Sequence, residues 1–306
     1  MSSEAGLQIF KLTARYPTLA NPVPAQSSDS HAVLIHYALT KYMNAYTYLL
    51  SELRVADRSA SLVLTADWLQ GRSAFGGWQA ALAVQAMRAV VGNDIPLRSL
   101  QSNFIAPVPA GAVSATAEVL RQGKSVAQLE ARILVDGKVA FIAVGIFGVF
   151  RQSLITEQAI APPASGIPDD GQEWPDGEGQ RPAFSRNFEY RWGRGTGPYS
   201  GNKHREGQIY VRFKNDALRS EAHLICVADA IPPSGLSRLS SPSPLSTINW
   251  TLEVINTIDD KEREDWLRFD TSLTAAFDGY SWENTAIWSG SGRLLALSRQ
   301  CVAVFS

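Results

Sequence analysis

The chain is poor in the residues that staple small secreted folds or hold metal ions. Its 306 residues include two cysteines, Cys226 and Cys301, far apart and without zinc-ligand spacing. That excludes a disulfide framework and points to a reducing compartment, where both thiols pack as small buried hydrophobes. The four histidines, His31, His36, His204 and His223, show no metal-ligand spacing. No metal or cofactor is therefore expected. Long apolar runs are missing too: the most apolar early stretch, 31–50, is interrupted by His36, Lys41 and Asn44, short of the roughly 20 apolar residues of a membrane span. An excess of one charge is also lacking. The 28 Lys and Arg against 29 Asp and Glu leave a formal charge of −1, which provides no basic footprint for nucleic acid or an anionic membrane. The start has Glu4 and no basic-then-apolar leader, and Val304-Phe305-Ser306 is not a peroxisomal address. The cytoplasm is the expected compartment.

What remains is ordinary globular composition, 45% hydrophobic and 19% charged, long enough for one large domain or two that each bury a core. Residues 1–55 form an extension of weak pattern, with Pro17, Pro22 and Pro24 in loop and a Tyr-rich helical stretch at 31–50. From residue 60 the pattern sharpens. A strand at 61–68 leads to Gly76-Gly77, and an Ala-rich run, 78–91, reads as a helix closed by Gly92. Four β-rich stretches follow at 97–105, 112–121, 126–135 and 139–150, punctuated by turn signals such as Asp136-Gly137. Residues 151–184, with Pro162, Pro163, Pro168, Pro175 and Pro182, read as a Pro/Gly-rich acidic linker. Beyond it the pattern returns: strands at 185–192 and 207–214, a helix at 216–231 stopped by Pro232-Pro233, then strands at 247–254, 266–276, 280–288 and 293–305.

The halves superpose in sequence. The strand ending at Phe150 matches the one ending at Phe305 at an offset of 155, and Leu97-Arg98-Ser99-Leu100 matches Leu245-Ser246-Thr247-Ile248 at an offset of 148. A period of this length is a duplicated domain. The expected fold is α+β: two repeats, 56–150 and 185–306, each a long helix wrapped by an antiparallel sheet, the hotdog arrangement doubled in one chain.

The ordered series of motifs resembles the acyl-CoA thioesterase II and thioesterase-like family. It runs through Phe75-Gly76-Gly77, Leu97-Arg98-Ser99-Leu100, Phe104-Ile105-Ala106-Pro107, the Arg121-Gln122-Gly123-Lys124-Ser125 hairpin, Ala228-Asp229-Ala230, Ser246-Thr247-Ile248, Asp265-Trp266-Leu267 and Gly292-Arg293-Leu294 with Gln300. Lys124 departs from the Arg favoured by the family. The resemblance implies that Asp229, Thr247 and Gln300 hold and activate the water that hydrolyses a thioester. It also implies an acyl-CoA or other acyl-thioester substrate, and a homodimer by analogy.

The residues themselves bear on this. Asp229 continues the apolar helix face of Leu218, Ala222, Ile225 and Cys226. It lies in the last turn of its helix, where the dipole opposes an anion by a few tenths to about 1 kcal/mol. Such a placement costs stability and has either a functional cause or an Asp swung aside to bond backbone before Pro232. Gln300 shares a strand face with Leu294, Ala296, Ser298, Val302 and Val304, as a site residue or as a structural amide bridging backbone. In the first repeat Gly145 stands opposite Gln300, Ser99 opposite Thr247 and Gln85 opposite Asp229, which leaves one working site per chain. Gly76 and Gly77 open a helix and can donate backbone N–H groups to an oxyanion or serve close helix–sheet packing. Arg121, Lys124 and Arg299 are candidates for coenzyme A phosphates, or solvated hairpin charges. Two rivals share the fold: a biosynthetic thioesterase acting on a carrier-bound or polyketide thioester, and a non-catalytic acyl-binding protein.

Overall fold

Two-residue turns set the registers of the sheet. Asp136-Gly137 and Asp278-Gly279 take positive φ at both residues, 50° and 74° in the first and 53° and 78° in the second, the twist that lets a two-residue loop join right-twisted antiparallel strands. The computed structural model describes residues 46–160, 171–174, 181–218, 220–258 and 266–305. Most of the extension, and of the helix expected at 31–50, lies outside them. Its end is a short helix, α1 (Tyr46–Ser51).

The first repeat runs β1 (Arg54–Ala56), β2 (Ser59–Leu64), a small hairpin of β3 (Leu69–Gln70) and β4 (Ser73–Ala74), helix α2 (Gly76–Val91), then β5 (Leu97–Phe104), β6 (Gly111–Gln122), β7 (Val126–Val135) and β8 (Lys138–Gly148). The second adds β9 (Gln172–Glu173), β10 (Phe188–Arg194), β11 (Glu206–Phe213), helix α3 (Glu221–Ala228), β12 (Leu245–Val254), β13 (Leu267–Phe277), β14 (Tyr280–Trp288) and β15 (Leu294–Val304). Among the described residues, thirteen strands form one sheet in the order β1-β2-β6-β7-β8-β5-β12-β15-β14-β13-β11-β10-β9. Read outward from the centre, both halves have the same plan, joined where β5 pairs antiparallel with β12. This is the α+β double hotdog. No described helix is long and apolar enough to cross a membrane.

Three expectations need correction. The helix expected at 216–231 is only the two turns of α3. Asp216 spends its carboxylate on Thr47 and on the N–H of Ala217, and the helix starts after Ser220, which is still extended at φ −153° and ψ 169°. The stretch expected to be linker contributes β9, paired to β10, and Trp174, packed edge-on against Tyr190 and Trp192. The offset of 148 slips as well. In β5–β8 a bulge falls between Leu97, opposite Phe147, and Ser99; in β12–β15 the matching bulge falls between Thr247, opposite Val302, and Asn249. The counterpart of Thr247 is therefore Leu97, not Ser99. A bulge inserts one unpaired residue, and the sequence match had slid past it. Of the two thiols, Cys226 is buried and Cys301 only partly so.

The core lies between the sheet and the two helices. Nearly all of α2 from Gly76 to Met87 is buried, because it is enclosed by strands on one side and α3 on the other. At one end of the helix pair, Arg88 forks onto Glu221 at 2.7 and 2.9 Å. This places a cation in the last turn of α2 and an anion in the first turn of α3, each favoured by the local dipole. At the other end the backbones nearly touch: a Cβ on Gly77 would stand 2.4 Å from the carbonyl oxygen of Cys226.

Gly77→Ala is therefore expected to force the two helix ends apart, at about 1–3 kcal/mol for overpacking. For a protein of this size that is a Tm loss of about 2–12 °C in thermal unfolding. Gly197→Ala, whose Cβ would meet nothing within 4 Å, is the control and is expected to leave Tm in place.

Candidate active site

Asp229 follows the last residue of α3 and caps it with φ −101° and ψ 3°. Its side chain crosses to the other helix: the carboxylate accepts the backbone N–H of Gly77, and a Cβ on Gly76 would lie 2.5 Å from Oδ2. The anion thus sits at the N-terminus of α2, where the dipole favours it, although the C-terminus of its own helix opposes it. The two glycines make the approach possible. The Gly77 N–H is committed to this carboxylate and neither glycine lines the cavity beyond it, so the pair supports the acid and is not arranged as an oxyanion hole.

Burial is the main influence on Asp229 and lifts its carboxyl from 3.8 to about 7; the Gly77 N–H pulls it down and the nearby carboxyl of Glu283 pushes it up. A group balanced near neutrality can both take and return a proton at working pH.

Thr247 comes from β12 and Gln300 from β15. With Asp229 they line one cavity of about 90 Å³. The rest of its wall is largely apolar, including Trp174, Phe184, Ile231 and Leu236. Phe184 is held by a parallel stack on Phe75, centroids 4.0 Å apart, the residue just before Gly76. The structure therefore gathers the acid, the hydroxyl and the amide of the sequence reading into one place. The oxyanion candidates Gly76 and Gly77 lie behind the acid.

Sequence reasoning missed Glu283. It stands directly opposite Gln300 in the β14–β15 register, is 1% exposed, and accepts the Gln300 Nε2–H at Oε1. Its other oxygen accepts the hydroxyl and the backbone N–H of Ser234. A signal existed in β14, where Ser281, Glu283, Thr285 and Ile287 share the inward face by period two.

The first repeat has no such site. Gly145, opposite Leu100 in β5–β8, is the counterpart of Gln300, and the space a side chain would need is taken by Met87, whose sulfur lies 2.5 Å from the Cβ position. Among the charges considered for phosphate, Arg121 and Lys124 line a separate hollow and Arg299 is exposed on its strand. A second polar cluster joins Ser220 and Thr47 to His223, at 2.8 and 3.1 Å from its two ring nitrogens. His223 is 2% exposed and outside the cavity, and the cluster fastens α1 to the start of α3.

Two family profiles match the chain: the acyl-CoA thioesterase N-terminal domain over residues 64–148 and the acyl-CoA thioesterase C-terminal domain over residues 168–304. No curated protein matches. Among solved structures, the chain is similar to a hotdog-fold protein of unknown function from Alicyclobacillus acidocaldarius, at 21% identity and TM-score 0.72 over 83% of this chain and 96% of that one. A putative thioesterase from Novosphingobium aromaticivorans is similar at 23% identity and TM-score 0.69, over 83% and 99%. An acyl-CoA thioesterase II from Mycobacterium marinum is similar at 17% and 0.64, over 83% and 95%. These likenesses concern the fold. With both profiles matched in order along the chain, the protein belongs to the acyl-CoA thioesterase family.

Proposed function

We propose that the protein hydrolyses an acyl thioester, most directly an acyl-CoA, by attack of a water that Asp229 deprotonates. The observation that carries this reading is a part-buried carboxyl near pKa 7 facing one cavity together with a hydroxyl and an amide. In its ionised form Asp229 accepts a proton from the water as the oxygen adds to the thioester carbonyl carbon. The C–S bond then breaks, the carboxylic acid leaves, and the thiolate regains a proton. Thr247 and Gln300 hold the water and the carbonyl, converting an encounter into a positioned reaction. They are also the donors that face the developing oxyanion, since the Gly77 N–H is taken. The same residues serve a carrier-bound thioester, while a purely acyl-binding role leaves the raised carboxyl without a task.

An open trough supports a phosphate-bearing leaving group. Arg194, His204 and Arg205 line a hollow of about 620 Å³. A smaller hollow beside it shares Thr196 and Arg205 with this one, and Pro198, Pro232 and Pro233 with the cavity wall. Arg194 is paired with Glu206 at 3.0 Å, whereas Arg205 and Lys203 have no acidic partner among the described residues. Cations on the surface neighbouring the cavity wall suit the diphosphate of coenzyme A.

Asp229→Asn is expected to lower kcat by at least a hundredfold on an acyl-CoA panel assayed by thiol release; wild-type turnover in that variant would remove Asp229 from the chemistry. The pH profile of kcat/KM should show an acid limb near pH 7, because the base is the ionised form. The linkage works in the opposite sense. A carboxyl raised in the folded state contributes stability below its unfolded value of about 4, and this is lost as pH rises through about 7. At pH 8 Asp229→Asn should therefore be more stable than the parent, by at most about 4 kcal/mol, measurable by urea unfolding. Arg205→Glu is expected to raise KM for acyl-CoA severalfold, an effect that shrinks with salt, with a much smaller change on an N-acetylcysteamine thioester, which has no phosphate.

A further inference from the structure

Among the described residues, no cation is paired with the Glu283 carboxyl. Its partners are the Gln300 amide, the Ser234 hydroxyl and the backbone N–H groups of Ser234 and Gly235. A stability role alone explains this poorly, since an apolar residue at an inward strand position avoids the cost of burying a carboxylate. The geometry gives it two tasks. Burial raises the Glu283 carboxyl, and the bonds from Ser234, Gln300 and Gly235 draw it back down; in its ionised form it only accepts hydrogen bonds, so the Gln300 amide turns Nε2 toward it. That leaves Oε1 and the second N–H as the groups available to the cavity. The flipped amide would set oxygen against oxygen. The other carboxylate oxygen holds Ser234, and the carboxylate also accepts the Gly235 N–H; both residues start the tight turn Ser234–Arg238, which follows Pro232-Pro233 and contributes Leu236 to the cavity wall.

We propose that Glu283 is a positioning residue of the hydrolytic site: it selects the orientation of the Gln300 amide and ties that amide to the wall formed by residues 231–236. This rests on the thioester-hydrolysis reading above. Its charge also bears on Asp229, whose surroundings are the Gly77 N–H, Glu283 and, from β10 and α3, Tyr190 and Cys226. Burial holds Tyr190 and Cys226 in their neutral forms, so Glu283, in its ionised form, is the neighbour that discourages ionisation of Asp229.

The test is Glu283→Gln, which keeps the shape, removes the charge and lets the Gln300 amide flip. The expected result is a kcat reduced at least tenfold with KM within twofold, and an acid limb of the kcat profile displaced to lower pH. A purely structural role would lower Tm without moving that limb. Ser234→Ala, which removes one of the bonds to Glu283, should reduce kcat severalfold in the same direction and serves if Glu283→Gln does not fold. A readout independent of turnover is the side-chain amide ¹⁵N signal of Gln300, assigned by its loss in Gln300→Ala. It should shift strongly in Glu283→Gln and measurably in Ser234→Ala. If no thioester is hydrolysed, the functional reading fails while this signal still reports on the amide. Wild-type kcat with an unmoved acid limb, or an amide signal indifferent to both substitutions, overturns the proposal.

Discussion

Everything at the candidate site depends on the contact between the start of one helix and the end of the other. Gly76 and Gly77 bring the backbone of α2 so close to α3 that any side chain there would collide with the Cys226 carbonyl or the Asp229 carboxylate. The contact settles an electrostatic conflict. A carboxylate at the C-terminus of its own helix is disfavoured, and the N-terminus of the neighbouring helix supplies the opposing partial charge and an N–H. Because α2 and α3 run antiparallel, the same complementarity recurs at their far ends as Arg88 and Glu221. The helix pair is thus fastened by a charged fork at one end and by the Asp229 carboxylate at the other.

The balance at Asp229 is one of opposed influences. Enclosure by protein raises its carboxyl, the helix N-terminus lowers it, and a second carboxyl raises it again. With the helix contact alone the acid would be a weak base, permanently ionised. With burial alone it would remain protonated and idle. The placement is unfavourable for folding, as is common where local structure serves chemistry, and the large shared core is what tolerates it.

Much of this was legible in the chain. Period-two alternation and Asp-Gly turns located the strands, two of them, β7 and β14, to the residue. The repeat and the motif series led to Asp229, Thr247 and Gln300. What was missed has physical causes. The extent of α3 was hidden because Asp216 and Ala217 look helical until a distant residue, Thr47, claims the Asp216 carboxylate. The Thr247 counterpart was misassigned because a bulge consumes one residue and leaves no local signature. Glu283 was passed over because acids default to the outer face of a strand; only the register of β14 against β15 shows that its neighbour is Gln300. The direction of the helix dipole acting on Asp229 required knowing which second helix it meets.

The pairing of β5 with β12 makes one uninterrupted sheet from two repeats that are covalently joined. In an assembly of two identical hotdog chains, any substitution appears in both copies at once, so a residue needed at one site cannot be lost from the other. Within a single chain the copies are free to drift apart. Gly145 and Met87 show such a difference: the place that the Gln300 side chain takes in the second repeat is occupied in the first by the Met87 thioether. Fusion of the repeats thus lets one molecule carry two unlike halves, with the cluster of Asp229, Thr247 and Gln300 in the second and close packing at the corresponding place in the first.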